Sequence, residues 1–599
     1  MASTPSFAFL PRPDRVVVMR ALRGTVAALL AFAVAALLQL DSPYWAAMTV
    51  WAVAQPTRGM LVGKALSRLA GTLVGALVSI PVLHLYAYSP LACVLVLALW
   101  GGACSLVANL LTGFRGYAAV LAGYTAPLVM VVAVHHPEQI NDMAASRVAC
   151  ILVGIAASTL LTWLWTPDGD LGLLRQRVER TAGEANRWMA ALLSANASQK
   201  NTTALASRVM SDMAVIDGQC DQGDSGAASV RQERRHVRHL LASLLNAMAL
   251  AQALADALAT AGAQTAATSC LRARLQVTEP SAQALLQALD DWLAAQGHLP
   301  DELKKCLLDW RAALIAVVAD LQRPESPASH ALARQGPSLV AVRNWPDALR
   351  SGVRTLLVVA VLGGAWVGTG WPLFLMAMMG ASMLSSIFAT FEAPQTSIIR
   401  AVKGTAMGTV AALLCGLLLL THVHTLPTLL LVLAPFIYLG ALLLNDRRTV
   451  GLGMDYSMVF LLITAPSLPV AMSSEHFLRV APGPLIGAVM AAAALHLLLP
   501  TGPRRRLHDV MQGIIRDLHQ LAVSRQPPSE GFWRARLAPG LASGIADFLG
   551  GLRQASGRRR RSDFVESGRR LAGPARRTGA AACSGSGGGC RAGLAGRAG

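Results

Sequence analysis

Residues 21–40 read ALRGTVAALLAFAVAALLQL, with a single charge, Arg23, close to the start. A hydrocarbon core ~30 Å thick requires about 20 apolar residues of helix, so this stretch reads as a membrane span. Comparable stretches follow near 65–85, 90–112, 116–134 and 144–165, and a second group lies near 351–370, 372–390, 398–420, 426–444, 456–472 and 484–499. The stretch 44–57 is shorter, but Tyr44, Trp45 and Trp51 suit an interfacial position, which brings the expected total to twelve spans. Composition agrees: of 599 residues, 54% are hydrophobic and 14% charged, against about 25% charged in a soluble domain. The first span is too long for the apolar region of a cleaved leader, and many spans follow it.

Loop charge orients the spans. Arg12, Arg15 and Arg20 precede the first; Arg58, Lys64 and Arg68 fall between the second and third; Arg115 falls between the fourth and fifth; Arg175 and Arg177 follow the sixth. The alternate loops, Asp41 to Pro43, His84 to Pro90 and His135 to Met143, carry little positive charge. The second group repeats this, with Arg343, Arg350, Arg400, Arg447, Arg448 and Arg504 to Arg506 on one side and only Arg479 on the other. The positive-inside rule then places both termini in the cytoplasm. It also explains the net charge of +19 without a nucleic-acid partner.

The two groups share landmarks at a nearly constant spacing. Arg23 matches Arg354, and Gly71-Thr72-x-x-Gly75 matches Gly404-Thr405-x-x-Gly408. Tyr117 followed by Thr125-Ala126-Pro127 matches Tyr456 followed by Thr464-Ala465-Pro466; Arg147-Val148-Ala149 matches Arg479-Val480-Ala481, and Pro167 matches Pro500. The expected fold is an all-α membrane protein of two parallel six-helix transmembrane repeats, with cytoplasmic helical domains after each. Parallel repeats imply a pseudo-twofold axis along the membrane normal and a pathway where the halves meet. The Gly-x-x-x-Gly spacing lets helix backbones approach closely.

The domains expected are a first transmembrane block at 1–167, a cytoplasmic helical domain at 168–345, a second block at 346–500, a helical segment at 501–556 and a disordered tail at 557–599. Within 168–345, helical periodicity is clear over Leu171 to Leu193, Val230 to Leu258 and Leu285 to Leu321, and Asn196 to Ser229 reads as a loop. Arg231, Arg234, Arg235 and Arg238 read as a solvated helix face. Leu507 to Leu521 reads as an amphipathic helix. From Gly557 the chain turns to Arg, Gly, Ala and Ser, a composition that buries no core and that an out-of-frame reading of GC-rich DNA would produce.

Enzyme motifs fail on inspection. Gly59-x-x-x-Gly63-Lys64 has one residue too few between its glycines for a phosphate loop, and Ala65 stands where a Ser or Thr would hold magnesium. No metal-helix or nucleophile-elbow pattern is present, and the cysteines, among them Cys93, Cys104, Cys150 and Cys415, show no paired spacing. No catalytic activity, cofactor or metal is expected. Energy for transport would come from an ion gradient, or the flow is passive.

Charges inside spans are functional candidates. The basic ones are Arg23, Arg68, Arg147, Arg354, Lys403 and Arg479, several at matching positions, so that a pseudo-symmetric ring of positive potential is expected. An arginine offers two parallel donors to a carboxylate. Trp45, Trp51, Tyr117, Tyr124 and Trp371 offer flat surfaces to an aromatic ring, and the matched Thr125, Tyr456 and Thr464 complete the substrate-binding candidates. The alternative is that these cations snorkel to the headgroups and fix topology. Proton-coupling candidates are Asp41, Glu392 and Asp455; His135-His136 reads as a solvated loop pair.

Tyr44-Trp45-Ala46-Ala47-Met48-Thr49-Val50, then Gln55-Pro56-Thr57-Arg58-Gly59, Arg68 and Gly71-Thr72-x-x-Gly75 resemble the signature of the fusaric acid resistance proteins, the aromatic acid exporters of bacterial inner membranes. Phe114-Arg115-Gly116-Tyr117 through Gly123-Tyr124-Thr125, and Arg147 with Gly154, extend the match over roughly 15–535; past Leu537 no resemblance remains. The resemblance implies efflux of aromatic carboxylic acids such as hydroxybenzoates or fusaric acid, driven by the proton gradient, across the inner membrane. It also implies a periplasmic adaptor (membrane fusion) protein as partner, and leaves a homo-oligomer open. A similar six-helix block occurs in plant malate channels, so a passive organic-anion channel is the rival reading. A non-transporting membrane scaffold is a third.

Overall fold

The computed structural model describes residues 14–55, 58–111, 113–134, 140–165, 170–194, 199–222, 228–260, 281–295, 301–322, 345–391, 394–446, 449–467 and 474–499, with scattered positions between 505 and 523. All belong to one compact unit, Met1–Leu549, and none is in a strand. The tail at 557–599, Arg447 and Arg448 lie outside the described residues.

Two sets of helices form the membrane part. The first comprises α1 (Arg15–Leu37), α2 (Tyr44–Val53), α3 (Arg58–Tyr88), α4 (Pro90–Leu110), α5 (Gly113–Ala133) and α6 (Ile140–Trp165). A helical domain follows: α7 (Asp170–Leu193), α8 (Gln199–Gln222), α9 (Ala228–Thr260), α10 (Ala282–Ala295) and α11 (Asp301–Gln322). The second set is α12 (Trp345–Thr369), α13 (Pro372–Ala389), α14 (Pro394–Leu414), α15 (Leu426–Asn445), α16 (Val450–Thr464), α17 (Ser474–Val480) and α18 (Gly483–Leu497). Local chemistry sets several of the starts. Ser89 accepts from the Ala92 amide while Pro90 opens α4, and Thr425 forms a capping box with Thr428 at α15. Proline in a first helical turn gives up no hydrogen bond.

Both membrane sets share one apolar core, reaching from Phe32 and Trp51 to Leu433 and Phe460. The helical domain has its own, around Met189, Leu244, Trp292 and Trp310. On the outer faces large apolar side chains stay uncovered, such as Leu66, Leu73 and Leu77 along α3, as suits helices whose solvent is lipid.

The packing between sets is reciprocal. α12 lies along α4, and α1 along α15, so the first helix of each set rests on the fourth of the other. At the α4–α12 crossing, a Cβ on Gly102 would stand 2.9 Å from the Gly352 carbonyl oxygen, and a Cβ on Gly352 equally close to that of Gly102. Beside this crossing the Ser105 and Ser351 hydroxyls are 2.8 Å apart, Asn109 Nδ2 donates to Ser351 (3.1 Å) and Thr355 Oγ1 donates to Ser105 (3.2 Å). Within each set the third helix packs on the fifth through the matched glycines. Gly71 and Gly75 lie over the carbonyls of Ala118 and Ala122, and Gly404 and Gly408 over those of Leu452 and Tyr456.

Eleven helices among the described residues are long and apolar enough to cross a membrane, and one of them is Gln232–Leu258 within α9. Its Val237, Leu241, Leu244 and Met248 nevertheless face the helical domain's core. Two expected spans are shorter than anticipated. α16 stops at Thr464, where Ala465 adopts a left-handed conformation (φ 35°, ψ 53°) ahead of Pro466, while the matching Thr125-Ala126-Pro127 lies inside α5. α2 has ten residues, all buried. Neighbouring helices cover Tyr44, Trp45 and Trp51, so their rings are not presented to lipid.

The basic face of α9 also departs from expectation. Arg234 is buried and Arg238 donates to Asp217 at 2.9 Å. His239 Nδ1 and the Ser243 hydroxyl converge on buried Asp320 at 2.9 and 2.8 Å. These groups hold α9 to α8 and α11 instead of facing water, whereas Arg235 is exposed, as expected, and the side chain of Arg231 lies outside the described residues. Past the membrane, Arg350 donates to Asp347 (2.9 Å) and Asp509 (2.8 Å). The described positions of the segment around 507–521 are helical, while Leu507 and Leu521 lie outside the described residues.

Gly404→Val should lower unfolding stability by about 1–3 kcal/mol, because the added atoms meet backbone that cannot yield. Gly364, with open space around it in α12, should tolerate alanine without loss. Thermal unfolding of the detergent-extracted protein distinguishes the two; equal melting temperatures would contradict the packing described.

Candidate functional site

Because Gly71 and Gly75 draw α3 onto α5, residues one turn earlier on α3 face the start of α5. Arg68 is buried there (4% exposed) and its NH1 donates to the Tyr117 hydroxyl at 3.2 Å. Tyr124, two turns further along α5, lines the same cavity as Arg68. One turn before Arg68, Lys64 Nζ stands 5.4 Å from the centre of the Tyr117 ring. From α6, the Arg147 guanidinium lies 3.8 Å from the centre of the Trp45 ring, and it is near enough to Arg68 for the two to repel.

Three cations thus converge, and among the described residues no carboxylate forms an ion pair with Arg68, Arg147 or Lys64. Arg68 Nε and Arg147 Nε are buried with no hydrogen-bond partner. Charge away from water is expensive unless neutralised or hydrogen-bonded. The phenol oxygens and ring faces offset part of this, a desolvated cation–π contact contributing ~2 kcal/mol. What remains is a positive charge that no ion pair among the described residues balances.

Of the three, Arg68 borders a cavity of ≈ 70 Å³ between the two sets. Its first-set wall carries Trp45, Arg68, Tyr117 and Tyr124; its second-set wall carries Thr405, Asp455 and the methionines 379, 383, 454 and 458. The Thr405 hydroxyl is buried without a partner. Pockets that enclose a whole small molecule measure roughly 300–1,000 Å³, so this cavity is contracted and must widen to admit an aromatic ring.

Of the basic candidates, the structure brings only Arg68 onto the wall, with Arg147 behind Trp45. Both are buried in the bundle and neither snorkels. Arg23 is half-buried on α1, Arg354 buried on α12, and Lys403 exposed on α14. Arg479 is exposed beside Glu475. The expected symmetric ring of cations is therefore absent from the cavity wall, because the residues matching in sequence occupy different environments in the two sets.

The hydroxyl candidates divide similarly. Tyr117 is on the wall. Thr125 is buried against Gly75, and Tyr456 packs on Gly408 and Gly440 and stacks with Phe460. Thr464 donates to the Phe460 carbonyl at 2.6 Å. Trp51 covers Gly24, while Trp371 is 62% exposed. Of the acids, Asp455 lines the cavity and is 8% exposed. Asp41 is exposed in the α1–α2 connection, and Glu392, His135 and His136 lie outside the described residues. Sequence reasoning missed Thr405 and the methionines, since an uncharged residue in an apolar span gives no signal of the face it occupies.

A model of the fusaric acid resistance protein family matches residues 18–564, running past Leu537, where the recognisable motifs end. An uncharacterized transporter of Gluconobacter oxydans is 24% identical over 560 residues, covering 86% of this chain and 75% of that protein. The p-hydroxybenzoic acid efflux pump subunit AaeB of Edwardsiella tarda is 24% identical over 479 residues, covering 76% and 72%. The uncharacterized transporter YdhK of Escherichia coli K12 is 34% identical over 152 residues, covering 25% and 23%. No solved structure matches.

The Trp45–Arg147 contact has a measurable weight. Trp45→Leu should destabilise the extracted protein by about 2 kcal/mol, from the lost cation–π contact together with lost packing. Trp45→Phe, which keeps a ring face, should lose less. Equal unfolding temperatures for the two variants would show that the ring contributes only bulk.

Proposed function

This chain belongs to the fusaric acid resistance protein family, and on that premise we propose that it is an inner-membrane efflux transporter for small aromatic carboxylic acids of the hydroxybenzoate type, with its site in the Arg68 cavity. The observation that carries the reading is a buried arginine on a cavity wall with one edge bonded to a tyrosine, its Nε unpartnered and, among the described residues, no acid in an ion pair with it. A carboxylate arriving there supplies the missing charge and accepts from the open edge. Tyr117, Tyr124 and Trp45 offer the ring faces and hydroxyls that an aromatic acid complements. The Edwardsiella relative, by its name, exports such an acid.

The reciprocal packing of α1 on α15 and α12 on α4 supports two parallel repeats that meet around this cavity. Rocking of one repeat against the other would open it to each side in turn. Loop charge puts the helical domain and both termini in the cytoplasm. Asp455, the acid on the wall, carries the proton exchanged for the departing anion. The Edwardsiella protein is named as a pump subunit, and a periplasmic adaptor protein is the partner included in this reading.

Arg68→Gln should cut export of 4-hydroxybenzoate from loaded cells at least about 30-fold, the effect of removing one partner of a buried charged contact, while the protein still inserts and unfolds at a similar temperature. Undiminished export by this variant would remove the cavity as the site. In inside-out vesicles, Asp455→Asn should abolish accumulation driven by a proton gradient while exchange of labelled for unlabelled acid continues. Wild-type uptake that only equilibrates the acid across the membrane and ignores an uncoupler would instead point to a passive anion path.

A further inference from the structure

The cavity's two walls differ in chemistry. The cation and the phenols come from α3 and α5, with Met48 of α2 beside them, whereas the facing wall carries Thr405, Asp455 and four thioethers among its apolar side chains: Met379 and Met383 on α13, Met454 and Met458 on α16. Each pair is spaced four residues apart, which places both members on one helix face, and the two faces adjoin at the cavity. Methionine is unbranched, has three rotatable bonds and a polarizable sulfur that contacts aromatic edges favourably. Surfaces built from it repack around ligands of different shape. Ile387 and Val459 on the same wall are β-branched and stiff, so widening by rotamer change falls to the methionines.

We propose that Met379, Met383, Met454 and Met458 are the specificity-determining wall of the transporter, a deformable face that takes up the ring of the acid while Arg68 takes its carboxylate. The proposal rests on the reading of the cavity as the carboxylate site. Its consequence is tolerance: rings of different width are exported by the same protein, because the wall adapts to each. Selection for the acid group lies with the first repeat and selection for the ring with the second.

The experiment compares export of benzoate and 1-naphthoate from loaded cells expressing the full chain. The variant is Met383→Ile/Met458→Ile, which keeps volume but stiffens χ1. Its expected result is a fall of about tenfold or more in the ratio of 1-naphthoate to benzoate export relative to wild type, the size of effect a small change in an apolar pocket produces. An unchanged ratio, whether both rates fall together or neither moves, overturns the proposal. If the isoleucine variant fails to insert, Met379→Leu/Met454→Leu, branched one carbon further out, should lower the ratio to a smaller degree, and no change there overturns it equally. The underlying reading fails separately: wild-type cells would then retain both acids, or Arg68→Gln cells would export both.

Discussion

A guanidinium held inside a lipid-embedded bundle without an acid partner is the constraint around which this structure is arranged. It is tolerable only because α3 and α5 touch backbone to backbone. Gly71 and Gly75 remove the side chains that would separate them, and the resulting register sets Arg68 beside Tyr117 and Tyr124. Were the helices a few ångströms further apart, the phenol oxygens would not reach, and the cation would have to leave for the headgroups. The glycine contact and the charge are therefore one device: close packing provides the solvation that the hydrocarbon does not.

The second set of helices keeps the scaffold and changes the contents. Gly404 and Gly408 seat α14 on α16 in the manner of their counterparts. Yet no arginine follows into the cavity, and Asp455 and Thr405 stand on that wall instead. The matched tripeptides show the same drift. Thr125-Ala126-Pro127 continues α5 past its proline, whereas Thr464 ends α16 and leaves Ala465 in a conformation that costs roughly 1–2 kcal/mol for a residue with a side chain. Backbone packing is shared by the two sets, and the electrostatics are divided between them.

Much of this was legible in the sequence, for a definable reason. Long apolar runs such as Ala21 to Leu40 can be little else than lipid-facing helices, and a charge within one is conspicuous, so Arg68, Arg147 and Asp455 stood out. Hydropathy does not, however, say which face of a span meets protein. Lys403, as conspicuous as Arg68, lies exposed on α14. The ten-residue α2 was read as interfacial from its tryptophans because nothing local distinguishes a ring at the headgroups from one enclosed by neighbouring helices. Met379, Met383, Met454 and Met458 were invisible for the same reason: only tertiary packing reveals that two i,i+4 pairs converge on a cation.

The brevity of α2 leaves the rest of the membrane depth to its neighbours. Ten residues of helix rise about 15 Å, half of the ~30 Å hydrocarbon layer. All ten are buried, and α1, α3, α6 and α16 pack against them, so protein instead of lipid fills the remaining depth. On the proposed reading, an anion passing Trp45 crosses the layer through protein, and an interior-negative voltage, worth about 2.3 kcal/mol per elementary charge for each 100 mV, favours its outward step.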